Sequence, residues 1–126
     1  MQALRDLTTL RVGGVPEGYF SISDAGSLTE ACEFLRGEKK PFAILGGGSN
    51  ILAADLVPGY ILRVLIPGIS YDKSRGGVVL ARVGAGVPWD LFVTDAVGRG
   101  LWGIENLSGI PGTVGATPIQ NVGAYG

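Results

Sequence analysis

The chain contains no histidine, and this absence removes the commonest general base, the usual nucleophilic triads and most zinc-site geometries. Its one cysteine, Cys32, cannot close an internal disulfide. Neither sign of charge is in excess. Ten basic and 11 acidic residues are spread along 126 positions for a net charge of −1, which leaves no basic stripe for a nucleic-acid backbone or an anionic membrane. Long hydrophobic runs are missing too: stretches such as Val78-Val-Leu-Ala81 are strand-sized, and no charged n-region with an apolar h-region opens the chain. These absences predict a cytoplasmic protein with no nucleic-acid partner, no membrane partner and no metal site. Any chemistry is expected to come from an organic cofactor.

What is present is enough apolar material for one core, 46% of the residues, and an unusual amount of glycine, 22 of 126. The glycines follow no repeat, so many must serve loops. Residues 1–17 read as loop, followed by a short strand at Tyr19–Ser23. Ser27 and Glu30 have the spacing of a capping box, which predicts a helix from Ser27, with Gly37 placed to stop it. Leu28, Ala31, Cys32 and Leu35 form its apolar stripe, making Cys32 a core residue rather than a reactive thiol. Phe42–Leu45 is continuously apolar and reads as a strand buried on both faces, completing a βαβ unit.

Further strands are expected at Tyr60–Leu65 and Gly77–Val83, with Ile69–Asp72 as another, joined by turns at Pro67-Gly68 and Ser74–Gly77. A second helix is predicted over 88–97, with Pro88 in its first turn and Trp89, Leu91, Val93, Ala96 and Val97 on its apolar face. Trp89 and Trp102 are expected to pack this helix and the tail against the sheet, Glu105 to cap or pair locally, and Arg63 to face solvent rather than a phosphate.

Three glycine-rich stretches could carry function. Leu45-Gly-Gly-Gly-Ser-Asn-Ile-Leu52 can present successive N–H groups to one concavity, with Ser49 and Asn50 as side-chain donors. It lacks the third Rossmann glycine, Ile51 standing there, and lacks the Lys-Ser/Thr of a P-loop. Phosphate binding and a plain tight connection both remain open. Val83-Gly-Ala-Gly-Val-Pro88 leads from strand to helix, where a simple turn competes with a ligand at a helix start. From Gly103 to Gly126 glycines and prolines interrupt apolar residues with neither helical nor strand period. A segment of this kind wraps something; Thr113, Ile119, Gln120 and Asn121 suit a polar heterocycle with an apolar edge.

Through Leu7–Gly14, Leu45–Leu52, Val83–Trp89 and above all Gly103–Gly126, the chain resembles the UDP-N-acetylenolpyruvoylglucosamine reductases, flavoproteins of bacterial cell-wall synthesis. The Gly-Gly-Gly-Ser-Asn loop alone is shared more widely with the vanillyl-alcohol-oxidase type of FAD-binding domain. The resemblance implies an α+β fold of that type, incomplete at its C-terminus, with a small βαβ lobe at 1–66 and a more antiparallel lobe at 67–126. It implies FAD with its pyrophosphate at Leu45, Gly46, Gly47, Gly48, Ser49 and Asn50. The isoalloxazine is then expected along Ile110, Pro111, Gly112, Thr113, Gly115, Ala116, Ile119, Gln120, Asn121 and Gly123.

NADPH as hydride donor, a sugar-nucleotide substrate and a monomeric full-length enzyme follow from the same resemblance. The family's serine proton donor, its assisting glutamate and its substrate-holding tyrosine and arginine all lie beyond the Gly123-Ala-Tyr-Gly126 motif. No catalytic residue is therefore expected within these residues, and the substrate domain is expected to be absent. Tyr125 could approach substrate in a complete enzyme or have no fixed place. A different FAD-linked oxidoreductase and a non-catalytic nucleotide-binding module are the alternative readings.

Overall fold

The computed structural model describes residues 2–73 and 75–124. Ser74 of the predicted turn and Tyr125 lie outside the described residues. Strand β1 spans Pro16–Ile22, helix α1 Ala25–Gly37, β2 Phe42–Leu45 and β3 Val57–Val64. Then come β4 at Ile69–Lys73, β5 at Val79–Val83 and helix α2 at Trp89–Gly98. Single 3₁₀ turns lie at Leu4–Asp6, Arg75–Gly77, Glu105–Leu107 and Val114–Ala116.

The first sheet is parallel with order β1-β3-β2, so the last of its strands in sequence occupies the centre. Ile61 and Leu62, adjacent on β3, are both buried on opposite faces. Leu62 packs with Ile22 of β1 and with Ala31 and Leu35 of α1; Ile61 packs with Leu4 and Leu45. The central β3 is thus the strand buried on both sides. The expectation that Phe42–Leu45 would be so is corrected: β2 is an edge strand, and its Ile44 is 59% exposed. Strand order is a property of the whole sheet, and an apolar run does not reveal it.

The N-terminal residues are more ordered than a plain loop. Leu4 and Arg5 donate N–H bonds to Gly14 O and Gly13 O, and β1 starts at Pro16, three residues before the predicted Tyr19. A proline fits there because the first strand residue needs no ladder donor. Helix α1 begins at Ala25 with Asp24 as its N-cap, not at Ser27. The Asp24 side chain accepts from Ser27 N–H at 2.8 Å while Ser27 Oγ takes the Asp24 N–H, so Ser27 is the reciprocal partner of the box. Gly37 is helical, and the left-handed residue beyond the helix is Lys39, with φ 52°. Cys32 is free and half-buried, less enclosed than Ala31 and Leu35.

In the second half, β4 and β5 pair antiparallel from Ile69↔Val83 to Lys73↔Val79. Pro88 is the N-cap of α2 rather than a first-turn residue. The buried stripe of α2 is Trp89, Val93 and Ala96, whereas Leu91 and Val97 are exposed, because α2 covers its neighbours along a narrow face. Tyr71 of β4 ties to α2: its hydroxyl donates to Asp95 Oδ2 at 2.8 Å, and Arg99 donates to the same carboxylate while stacked 4.7 Å over the Tyr71 ring. Arg99 first, and Tyr71 after it, hold the Asp95 carboxyl below its ordinary range.

Trp89 is buried, with Nε1 donating to Leu107 O at 2.8 Å. The companion expectation for Trp102 fails. It is 89% exposed, because the chain after α2 turns outward through Gly103, at φ 114°, before it returns along the helix start. Glu105 behaves locally as expected, accepting the Gly103 N–H. Arg63 is half-buried, and its Nε is enclosed without a hydrogen-bond partner among the described residues, so the reading that it faces solvent is corrected for that atom.

Candidate functional site

At the C-terminal ends of the parallel strands, where α/β sheets place their ligand sites, a cavity of about 430 Å³ opens. The glycine loop after β2 forms one wall. Against it stands the segment from Gly112 to Gln120, which reaches the cavity by running antiparallel to the chain just before and at the start of α2. Trp89 N–H donates to Gly112 O at 3.0 Å, Val114 N–H to Val87 O at 2.9 Å and Gly115 N–H to Ala85 O at 2.9 Å.

The two stretches touch through glycine. A Cβ built on Gly46 would stand 2.7 Å from Thr113 Oγ1, and one on Gly47 would stand 3.3 Å from Gly112 Cα. Gly48 has φ +70°, and a Cβ there would meet Leu7 O at 2.1 Å. Thr9 N–H donates to Gly48 O, so the N-terminal Leu7–Thr9 stretch holds the loop from outside. Ser49 Oγ and Gln120 Nε2 converge over Gly112, 3.4 Å and 2.9 Å from the position its Cβ would take. Thr113 is buried, and among the described residues its hydroxyl donates to no protein group.

Hydrogen bonding divides the cavity wall into two kinds. Among the described residues, the N–H groups of Gly46, Gly47, Gly48, Ser49 and Asn50 donate to no protein acceptor. Successive unpaired amides at a concave surface make an anion-binding nest. Another part of the lining is aliphatic, built from Leu28 of α1, Ile44 of β2, Val64 of β3, and Ile66. A ligand with a negatively charged centre and a flat apolar part fits this division.

Of the residues expected at a cofactor, Gly46, Gly47, Gly48, Ser49, Asn50, Thr113, Gly115, Ala116, Ile119 and Gln120 line this cavity. Leu45 lies in the core beneath it. Ile110, Pro111, Gly112, Asn121 and Gly123 are outside its lining, Gly112 standing directly behind as the contact to Gly47. Sequence reasoning did not find Leu28, Ile44, Ile51, Val64, Ile66 or Ala85. Each reads locally as a core residue or a turn, and only the tertiary arrangement brings them to one surface. Among the described residues no group of histidine, cysteine, aspartate or glutamate could hold a metal ion, and no helix is long and apolar enough to cross a membrane.

The tail is fastened by Asp90, which accepts from Ser108 Oγ–H at 2.8 Å and from Gly109 N–H at 2.6 Å. The Gly109 amide first, then the Ser108 hydroxyl, hold the Asp90 carboxyl below its ordinary range.

Three curated relatives are each named UDP-N-acetylenolpyruvoylglucosamine reductase. That of Thermobifida fusca is 45% identical over 98% of this chain and 35% of its own length. Those of Saccharopolyspora erythraea and Leifsonia xyli are 43% and 44% identical over 98% of this chain, and over 34% and 33% of their own lengths. The crystal structure of UDP-N-acetylenolpyruvylglucosamine reductase from Thermus caldophilus superimposes with a TM-score of 0.70 at 37% identity, covering 91% of this chain and 39% of that one. The chain therefore spans about a third of the length of the curated relatives it matches. The sequence profile described as FAD binding domain matches residues 16–126, and the chain belongs to that family.

Proposed function

We propose that this chain is the N-terminal FAD-binding portion of an NADPH-dependent reductase that converts UDP-N-acetylglucosamine enolpyruvate to UDP-N-acetylmuramate in peptidoglycan synthesis. The observation that carries the reading is the meeting, at one cavity, of the Gly46–Asn50 amides with the Gly112–Gln120 segment. The names of the relatives support the choice of substrate.

The residues present fit a dinucleotide. The unpaired amides of Gly46 to Asn50 would take the pyrophosphate, whose negative charge needs no lysine where several N–H dipoles converge. Thr113, Ser49 and Gln120 would orient the polar atoms beside it, and the aliphatic wall of Leu28, Ile44, Val64 and Ile66 would exclude water from the apolar part. Gly112 would back the loop at Gly47, and the stretch from Ile110 to Gly123, with Pro111 and Asn121, is proposed to run along the isoalloxazine, Leu45 lying in the core beneath the loop. Bound FAD supplies the hydride relay from NADPH to the enol ether double bond. The lobes at 1–66 and 67–126 are proposed to be two halves of one FAD-binding domain, in a cytoplasmic enzyme that is monomeric at full length.

The test is anaerobic. FAD is titrated into the polypeptide encoded by the complete reading frame, NADPH is added, and the flavin absorbance is followed on addition of the enolpyruvyl sugar nucleotide. Binding, bleaching and then recovery of the oxidised spectrum are expected. Bleaching without recovery removes the substrate assignment and leaves another flavin oxidoreductase; no FAD binding removes the cofactor assignment itself.

A further inference from the structure

The stretch from Leu107 to Gly115 is held in two ways. Its second half is zipped by the three backbone bonds to Ala85, Val87 and Trp89. Its first half depends on side chains, and among the described residues two of them grip it. Trp89 Nε1 donates to Leu107 O, and Asp90 Oδ1 accepts both the Ser108 hydroxyl and the Gly109 amide. Hydrogen bonds to a carboxylate are about twice as strong as neutral ones, and here two of them meet one oxygen.

Gly109 and Gly112 bound a short turn, and both have backbone that favours glycine, with φ 77° and 123°. The path of Ile110 and Pro111 is therefore set by what fixes the turn's two ends. Gly112 O is fixed by Trp89 N–H; Gly109 is fixed by Asp90. Past that turn come Gly112 and Thr113, which pack directly against Gly47 and Gly46 at the edge of the cavity. Asp90 does not itself line the cavity.

We infer that Asp90 is a positioning residue for the cofactor site: by clamping Ser108 and Gly109 to the start of α2 it aims Gly112-Thr113 at the glycine loop, so that FAD meets a preformed wall. The inference rests on the FAD reading above. Its structural rival is that Asp90 merely steadies α2 as a carboxylate in the first turn. The pair Asp90 and Ser108 separates the two, since Ser108 lies outside the helix.

The experiment measures FAD affinity, visible circular dichroism of bound flavin and far-ultraviolet helicity in the full-length polypeptide and its variants. Asp90→Ala is expected to weaken FAD binding about tenfold and to change the flavin dichroism. Asp90→Asn, whose amide oxygen can accept from the same two donors, should restore most of the affinity. Ser108→Ala should weaken binding about threefold with helicity unchanged. The inference is overturned if Asp90→Ala binds FAD normally with an unaltered flavin spectrum. It is equally overturned if the affinity loss tracks lost helicity alone, or if Asp90→Asn is as weak as Asp90→Ala while Ser108→Ala is normal, since charge at the helix start would then explain everything. Failure of the unmutated protein to bind FAD would sink the cofactor reading first, and needs no variant to detect.

Discussion

The chain has two strand-to-loop glycine clusters, Gly46-Gly-Gly48 and Gly84-Ala-Gly86, and they use glycine in opposite ways. In the second, the donors are engaged: Gly84 N–H reaches Gly68 O at 2.8 Å and Gly86 N–H reaches Ile66 O at 2.9 Å. A Cβ at Gly86 would stand 2.4 Å from the Leu65 backbone, so glycine is there to let two main chains touch. In the first, the carbonyl of Gly48 is engaged but the amides of the loop are not. Composition does not distinguish these loops. The pairing of their N–H groups does, and the unpaired run is the one proposed to take the pyrophosphate.

The largest effect should come from breaking the buried contact of the second cluster. Gly86→Val is expected to destabilise the protein by about 4 kcal/mol, seen as a fall in Tm, because backbone rather than a flexible side chain lies in its way. Gly48→Ala should cost about 3 kcal/mol, combining left-handed strain with the contact to Leu7 O. Equal stability of either variant to the parent would remove the close-packing argument. Gly47→Val is milder for the fold, since its Cβ meets Gly112 at 3.3 Å, but it should press the tail off the loop and weaken FAD binding by about tenfold or more. An unchanged affinity would remove Gly47 from the proposed pyrophosphate site.

Hydrogen exchange sharpens the contrast without mutation. The amides of Gly84 and Gly86 should be protected in the absence of FAD, and those of Gly46 to Asn50 should become protected only when it is added. Protection of both loops from the outset would dissolve the distinction.

How much of this was readable beforehand varies with the range of the interaction. The helices, the hairpin and the glycine loop came from local signals: the periodicity around Leu35, the turn signal at Ser74–Gly77, the run at 46–48. The start of α1 was misplaced because Asp24 and Ser27 both have capping side chains, and only geometry says which one caps and which reciprocates. Trp102 was misjudged because a large apolar residue carries no mark of which way its loop turns. The aliphatic wall of the cavity was invisible for a deeper reason. Leu28, Ile44 and the Val64–Ile66 stretch sit on three separate segments and share a surface only once β3 has entered between β1 and β2.

The smallest expected effect is on acid sensitivity. Asp90 is held below its ordinary range by the Gly109 and Ser108 donors, so its contribution is complete above the unfolded value and is lost as pH falls through the lower folded one. Asp90→Asn should therefore give a slightly shallower loss of stability from about pH 4 downward. Superimposable acid-unfolding curves for the two proteins would argue that the clamp holds no ionised partner.

The order β1-β3-β2 also bears on how the chain acquires its shape. The strands made first, β1 and β2, are not neighbours, and among the described residues each has its only sheet partner in β3, which begins at Val57. A nascent chain that has emerged no further than residue 56 can form α1 but has no strand pair to pack it against. The glycine loop lies in the connection from β2 to β3, so it is made before the strand that completes the sheet beneath it. Assembly of the parallel sheet therefore waits for β3 and is governed by long-range contacts rather than by local propensity.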